Sequence, residues 1–198
     1  MRLTLIALLL AGVAGCGSEP ADELGRSVED PKLEEKVAQP QSEDEAAPDG
    51  DPQSQFEMGK KYAAGEGVLQ DDTEAVKWYR KAAEQGHARA QNNLGWMYEN
   101  GLGVPQDDTE AVKWYRKAAE QGYAEAQLSL GGAYFDGIGV PQDYLEAYAW
   151  YSLAATNGDE VAKEGLPLVK AELTPDQLIA AQKRATELFE QINANKAK

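Results

Sequence analysis

A chain with one histidine and one cysteine in 198 residues has little from which to build a catalytic centre. His87 alone cannot make a multi-histidine metal site. Its counterparts further along are Tyr123 and Asp159, each just past a turn glycine, so it reads as a variable loop position. No Ser-x-x-Lys, Gly-x-Ser-x-Gly, His-Glu-x-x-His or Gly-Lys-Ser/Thr stretch occurs, and the expectation is a non-enzyme without metal or cofactor. The residues that do suggest chemistry are of a binding kind. Glu57, Lys60 and Ala64 step three and four residues apart, as do Asn93, Trp96 and Asn100, and again Ser129, Gly132 and Asp136. That spacing places each set on one face of a helix. A tryptophan between two asparagines can anchor an extended peptide, the ring filling a pocket and the amides meeting the peptide backbone. The other reading is that Trp96 packs against a neighbouring element.

The elements that carry this strip repeat. Gln70 to Gly86 reads QDDTEAVKWYRKAAEQG, and Gln106 to Gly122 reads the same, 36 residues later. A third, diverged copy runs from Pro141 to Gly158. Gly59, Gly95 and Gly131 keep that register, as do Tyr62, Tyr98 and Tyr134, and the Gly-x-Gly-Val turns at 65–68, 101–104 and 137–140. Each unit reads as two helices. In the second, Asp71 caps the start with Glu74 closing a capping box, Ala75, Trp78, Tyr79, Ala82 and Ala83 form a buried stripe, and Lys77, Arg80 and Lys81 decorate the outer face. In the first, Gly95 between Leu94 and Tyr98 allows close approach of the partner helix. Once-per-unit Trp78, Trp114 and Trp150 belong to the core, and the recurrent Gly-x-Gly is turn geometry rather than a phosphate loop. A single hairpin cannot bury its apolar face, so the units must stack.

The pattern A-Q-x-x-L-G-x-x-Y-x-x-G-x-G-V-x-x-D…A-x-x-W-Y-x-x-A-A-x-x-G, met by Ala90 to Gly122 almost position for position, resembles the Sel1-like repeat, a relative of the tetratricopeptide repeat. The resemblance covers roughly residues 54 to 158. It implies an all-α fold: a short right-handed solenoid of helix-turn-helix repeats whose first helices line a concave surface. Cysteine-rich relatives have been linked to β-lactam binding or hydrolysis, but their cysteine pairs and any serine-lysine site are missing here.

The N-terminus reads as a targeting segment. Arg2 precedes the apolar stretch Leu3 to Ala14, and Val13-Ala14-Gly15-Cys16 looks like a bacterial lipobox. It implies cleavage before Cys16, diacylation of its thiol and acylation of the new amine, hence a lipid anchor. Gly17 and Ser18 lack the aspartate of an inner-membrane retention signal, which points to the outer membrane facing the periplasm if the source is Gram-negative. Residues 17–52 hold twelve acidic and three basic residues with five prolines, the composition of an extended, disordered tether. Of the formal net charge of −15, the tether carries −9 and Arg2 offsets +1, so about −7 remains for the folded part, which argues against nucleic acid and anionic membrane surfaces as partners.

Beyond Gly158 the register continues through Ala162 and Leu166, but Pro167 falls where Gly95 and Gly131 stood and is expected to break or kink the helix. Thr174-Pro175-Asp176-Gln177 starts another, running to about Ile192 with Leu178, Ala181, Ala185, Leu188, Phe189 and Ile192 on one face. A leucine-threonine-proline start here also looks like other Sel1-like proteins. The domains are then a signal peptide at 1–15, a lipid-anchored tether at 16–52, three repeats at 53–158, and at 159–198 a pair of capping helices with a frayed tail from Asn193. The function expected is an envelope scaffold binding a protein or peptide on the concave face, through Glu57, Lys60, Asn93, Trp96, Asn100, Ser129 and Asp136. Alternatives are an immunity protein neutralising a delivered effector, or an enzyme acting on β-lactams or peptidoglycan.

Overall fold

The computed structural model describes residues 50–197; the signal peptide, Cys16 and nearly all of the tether lie outside the described residues. The described residues form eight α-helices and no strand: α1 Pro52–Ala64, α2 Asp72–Glu84, α3 Ala88–Asn100, α4 Asp108–Glu120, α5 Ala124–Asp136, α6 Tyr144–Thr156, α7 Glu160–Ala171 and α8 Pro175–Lys196. Helices pair in order, α1 with α2, α3 with α4 and α5 with α6, and each pair packs on the next. None of the described helices is long and apolar enough to cross a membrane.

Local chemistry sets the boundaries. Asp71, Asp107 and Asp143 each accept from backbone N–H groups of the helix they precede, satisfying donors that have no partner inside it. The reciprocal half of the expected capping box does not form at Asp71, because the Glu74 carboxylate pairs with Lys77 instead. The first helices end at Gly65, Gly101 and Gly137 in the left-handed region, φ 70°, 66° and 70°. Asp51 caps α1 and Pro52 is its first residue, so the repeat array begins slightly earlier than the tether boundary drawn from composition.

Two core clusters run through the array. One joins Phe56, Val76, Tyr79, Leu94, Met97 and Trp114. The other joins Val112, Tyr115, Leu130, Trp150, Leu188 and Ile192. Trp114 and Trp150 thus pack back onto the preceding hairpin. Trp114 is 7% and Trp150 1% exposed. Trp78 is only half-buried, contrary to expectation, because no described hairpin precedes its own; Lys81 covers its ring, with Nζ 4.2 Å from the centroid. Arg80 is not a surface decoration either. It donates to the Tyr98 hydroxyl on the next hairpin, as Arg116 donates to Tyr134 at 2.7 Å.

A ladder of glutamines ties the hairpins where the apolar core stops. Buried Gln91 donates to the Ala83 carbonyl of the preceding hairpin at 2.9 Å, and Gln127 to Ala119 at 3.1 Å. Each accepts in turn from the end of its own hairpin, Gln121 to Gln91 at 2.7 Å and Asn157 to Gln127 at 2.8 Å. The charge-free amide suits a buried place because it can donate and accept at once.

The cap departs from expectation in four respects. Pro167 lies inside α7, which continues to Ala171 without ending there. Proline removes one donor and crowds the preceding turn, but a terminal helix packed mainly on α6 can absorb the distortion. α7 and α8 both pack on α6 rather than chiefly on each other. α8 extends past Ile192 to Lys196, so the segment read as a frayed tail is helical and reaches back to Gly122, at the turn between α4 and α5. Phe189, placed on the buried face by spacing, is 45% exposed, while Ala181, Leu188 and Ile192 are buried.

Candidate functional site

Glu57, Lys60, Asn93, Ser129 and Asp136 lie beside three tyrosines of the second helices, a feature the sequence reading missed. A Cβ placed on Gly59 would sit 2.5 Å from the Tyr79 ring, on Gly95 2.8 Å from Tyr115, and on Gly131 2.8 Å from Tyr151. Each first-helix glycine is therefore the gap through which the partner helix passes its phenol. Glycine is required there by space, since any side chain would collide with the ring. The hydroxyls emerge among the first helices. Tyr79 has Asn93 beside its hydroxyl and Lys60 and Glu57 nearby. Tyr115 donates to Glu99 at 2.6 Å and has Ser129 beside it. Tyr151 faces the field of Asp136 and Asp159. Burial, reinforced by Glu99, holds the Tyr115 phenol protonated well above the usual tyrosine range; burial, reinforced by the two aspartates, raises Tyr151. These are neutral donors, not phenolate bases. The sequence signal for this arrangement was present in the invariant Trp-Tyr pair and the glycine facing it.

The structure brings Glu57, Lys60 and Asn93 together, with Lys60 paired to Glu57 at 3.0 Å. Ser129 and Asp136 line a separate cleft of about 290 Å³ between α4, α5 and α6. Trp96 is 51% exposed, so about half of the side chain is covered and half faces solvent. The Asn100 amide is partly engaged, donating at 2.9 Å to the Trp96 carbonyl one turn back.

His87 sits at the variable position just past the turn glycine, and there it has a structural role. It caps α3, its Nδ1 accepting from the Ala90 N–H at 3.1 Å and its Nε2 lying 3.0 Å from Gln53 Oε1. Its ring stacks on Phe56 with centroids 4.7 Å apart. This network needs the neutral imidazole, with Nε2 as donor. Burial and, secondarily, the Arg89 charge depress the His87 pKa accordingly. Asp159 does the same capping for α7 through Ala162 N at 2.8 Å, whereas Tyr123 makes no such bond. Among the described residues no group of three His, Cys, Asp or Glu side chains is arranged to hold a metal ion.

The Sel1 repeat family matches three consecutive segments, residues 52–87, 88–123 and 124–159. Two solved structures are similar. A Sel1 repeat protein from Oxalobacter formigenes aligns with TM-score 0.59 and 46% identity, over 60% of this chain and 49% of that one. A protective antigen present in uropathogenic Escherichia coli strains, displaying an SLR fold, aligns with TM-score 0.60 and 31% identity, over 72% of this chain and 38% of that one. The chain thus matches about half or less of the length of either. Among curated proteins none matches.

Proposed function

Because this chain belongs to the Sel1 repeat family, we propose that it is a lipid-anchored, non-enzymatic scaffold of the cell envelope that holds a protein or peptide partner on the face of its first helices. The observation that carries the reading is the exposure of Trp96. The fold does not ask for an aromatic there, since Lys60 and Gly132 occupy the same place in the other two repeats. A large ring left half in water at a position free to vary is a feature of binding anchors, which gain further burial on contact with a partner. Asn93 beside Tyr79, and Glu57 paired with Lys60, supply polar groups on the same face.

Replacing Trp96 and Asn93 together by alanine is expected to abolish capture of a partner from envelope extracts while leaving the circular dichroism melt nearly unchanged. Undiminished capture would remove Trp96 from the site. The anchor rests on the sequence around Cys16, and Cys16→Ser is expected to move the protein from the membrane fraction to the soluble fraction. Persistence in the membrane fraction would contradict acylation at that residue.

A further inference from the structure

The cleft between α4, α5 and α6 exists because the third first-helix has lost bulk. Where α3 carries Asn93, Trp96 and Met97, α5 carries Ser129, Gly132 and Ala133, and all three line the cleft. At the preceding junction the corresponding space holds larger side chains, Met97 being fully buried. A periodic fold does not require these small residues, since α3 carries larger ones at the same places.

Its lining selects the occupant. Glu99, Asp108 and Asp136 contribute carboxylates, and no lysine or arginine lines the cleft. Among the described residues none of the three takes part in an ion pair; Glu99 accepts from the Tyr115 hydroxyl at 2.6 Å and Asp108 from the Gln106 amide at 3.4 Å, which leaves their charge without a cationic partner. Leu128, Ile138 and Val161 supply apolar wall; Ile138 and Val161 are exposed. The Tyr151 hydroxyl forms part of the floor, 3.6 Å from where a Cβ on Gly132 would stand. An apolar wall with unpaired carboxylates suits a long side chain with a methylene stem and a cationic head.

We infer that this cleft is a socket for a lysine or arginine side chain carried by an extended basic segment of the partner. The inference rests on the scaffold reading above and adds to it the charge of the partner and the junction that selects it. The stem lies along Leu128 and Val161, and the ammonium or guanidinium group meets Asp136 and Glu99.

The test uses the full chain and a fluorescein-labelled synthetic peptide of alternating lysine and leucine, with a glutamate-leucine peptide as control. Saturable anisotropy is expected for the lysine peptide only, weakening as salt rises. Gly132→Trp gives α5 the residue that α3 carries at the same place, and Asp136→Asn the residue that α3 carries as Asn100, so both variants retain a repeat-compatible helix. Asp136→Asn is expected to weaken the lysine peptide by about tenfold, the loss of one charge-assisted contact, and Gly132→Trp by at least as much, because the ring fills the cleft. Affinity unchanged by Gly132→Trp would overturn the socket, showing that the peptide rides on the acidic residues of 17–52 or elsewhere. If Trp96→Ala abolishes capture of the native partner while Gly132→Trp and Asp136→Asn do not affect it, the scaffold reading stands and the socket falls.

Discussion

Seventeen identical residues, Gln70–Gly86 and Gln106–Gly122, fold into two helices that do different work. Both start at an aspartate cap, pair a glutamate with a lysine one turn on, and send an arginine to the tyrosine of the next hairpin. Trp78 nevertheless stays half in water, while Trp114 is buried against the hairpin before it. The third copy carries the comparison further. Where the first two have Lys77 and Lys113, it has buried Ala149. Glu146, freed of a lysine one turn on, pairs with Arg184 of α8 at 2.6 Å and accepts from Trp150 Nε1 at 3.1 Å. Local structure follows the copied residues, and energetic weight follows the neighbours.

The largest test of that difference is alanine at the two tryptophans. Trp114→Ala is expected to cost about 3–5 kcal/mol, the usual range for a buried aromatic, and Trp78→Ala about a third of that. Urea unfolding followed by circular dichroism would separate them, and equal losses would contradict the assigned burial. Next come the turn glycines. Both Gly67 and Gly103 have positive φ, 77° and 67°, but a Cβ on Gly103 would run into the Asp72 carbonyl of the preceding hairpin while one on Gly67 meets open space. Gly67→Ala should cost about 1 kcal/mol for the left-handed backbone alone, and Gly103→Ala several-fold more, because the stacking contact itself must shift. The melting temperatures of the two variants check this.

A smaller contrast concerns charge. Glu146→Gln should lower stability by about 1 kcal/mol and Glu110→Gln by a few tenths, since the first joins two helices and the second is an exposed pair within one. Double-mutant cycles with Arg184→Ala and Lys113→Ala measure each pair separately.

The smallest expected effect is at His87. Its pKa in the fold lies below the ordinary histidine value, so the unfolded chain binds the proton more readily. The cap contributes fully above the ordinary histidine pKa, and its contribution is lost as pH falls through the depressed value. Lowering the pH from about 7.5 to about 5 should cost under about 1 kcal/mol through this residue. His87→Asp, which copies the cap Asp159 makes for α7, should remove that pH dependence. A urea midpoint with the same pH slope in both proteins would contradict the role.

Most of the helical architecture was legible because repetition compares a sequence with itself. Positions that never vary, such as Gly95 and Tyr115, mark what the hairpin needs, and those that vary, such as Trp96 and Gly132, mark what it leaves open. Phe189 was misplaced because periodicity assigns a stripe to a helix without saying how wide its partner is, and α8 packs mainly on α6. Of the two outcomes expected at Pro167, a break or a kink, the break does not occur, because the helix is held by packing on α6.

The residues alone determined the 36-residue hairpin, its aspartate caps and its glycine turns, because these depend on atoms a few positions apart. Tertiary structure decided which tryptophan is buried, which phenols reach the first helices, and where a cleft opens beside Gly132. Those outcomes depend on what the next hairpin or the cap places alongside, and two copies with the same letters do not share the same neighbours.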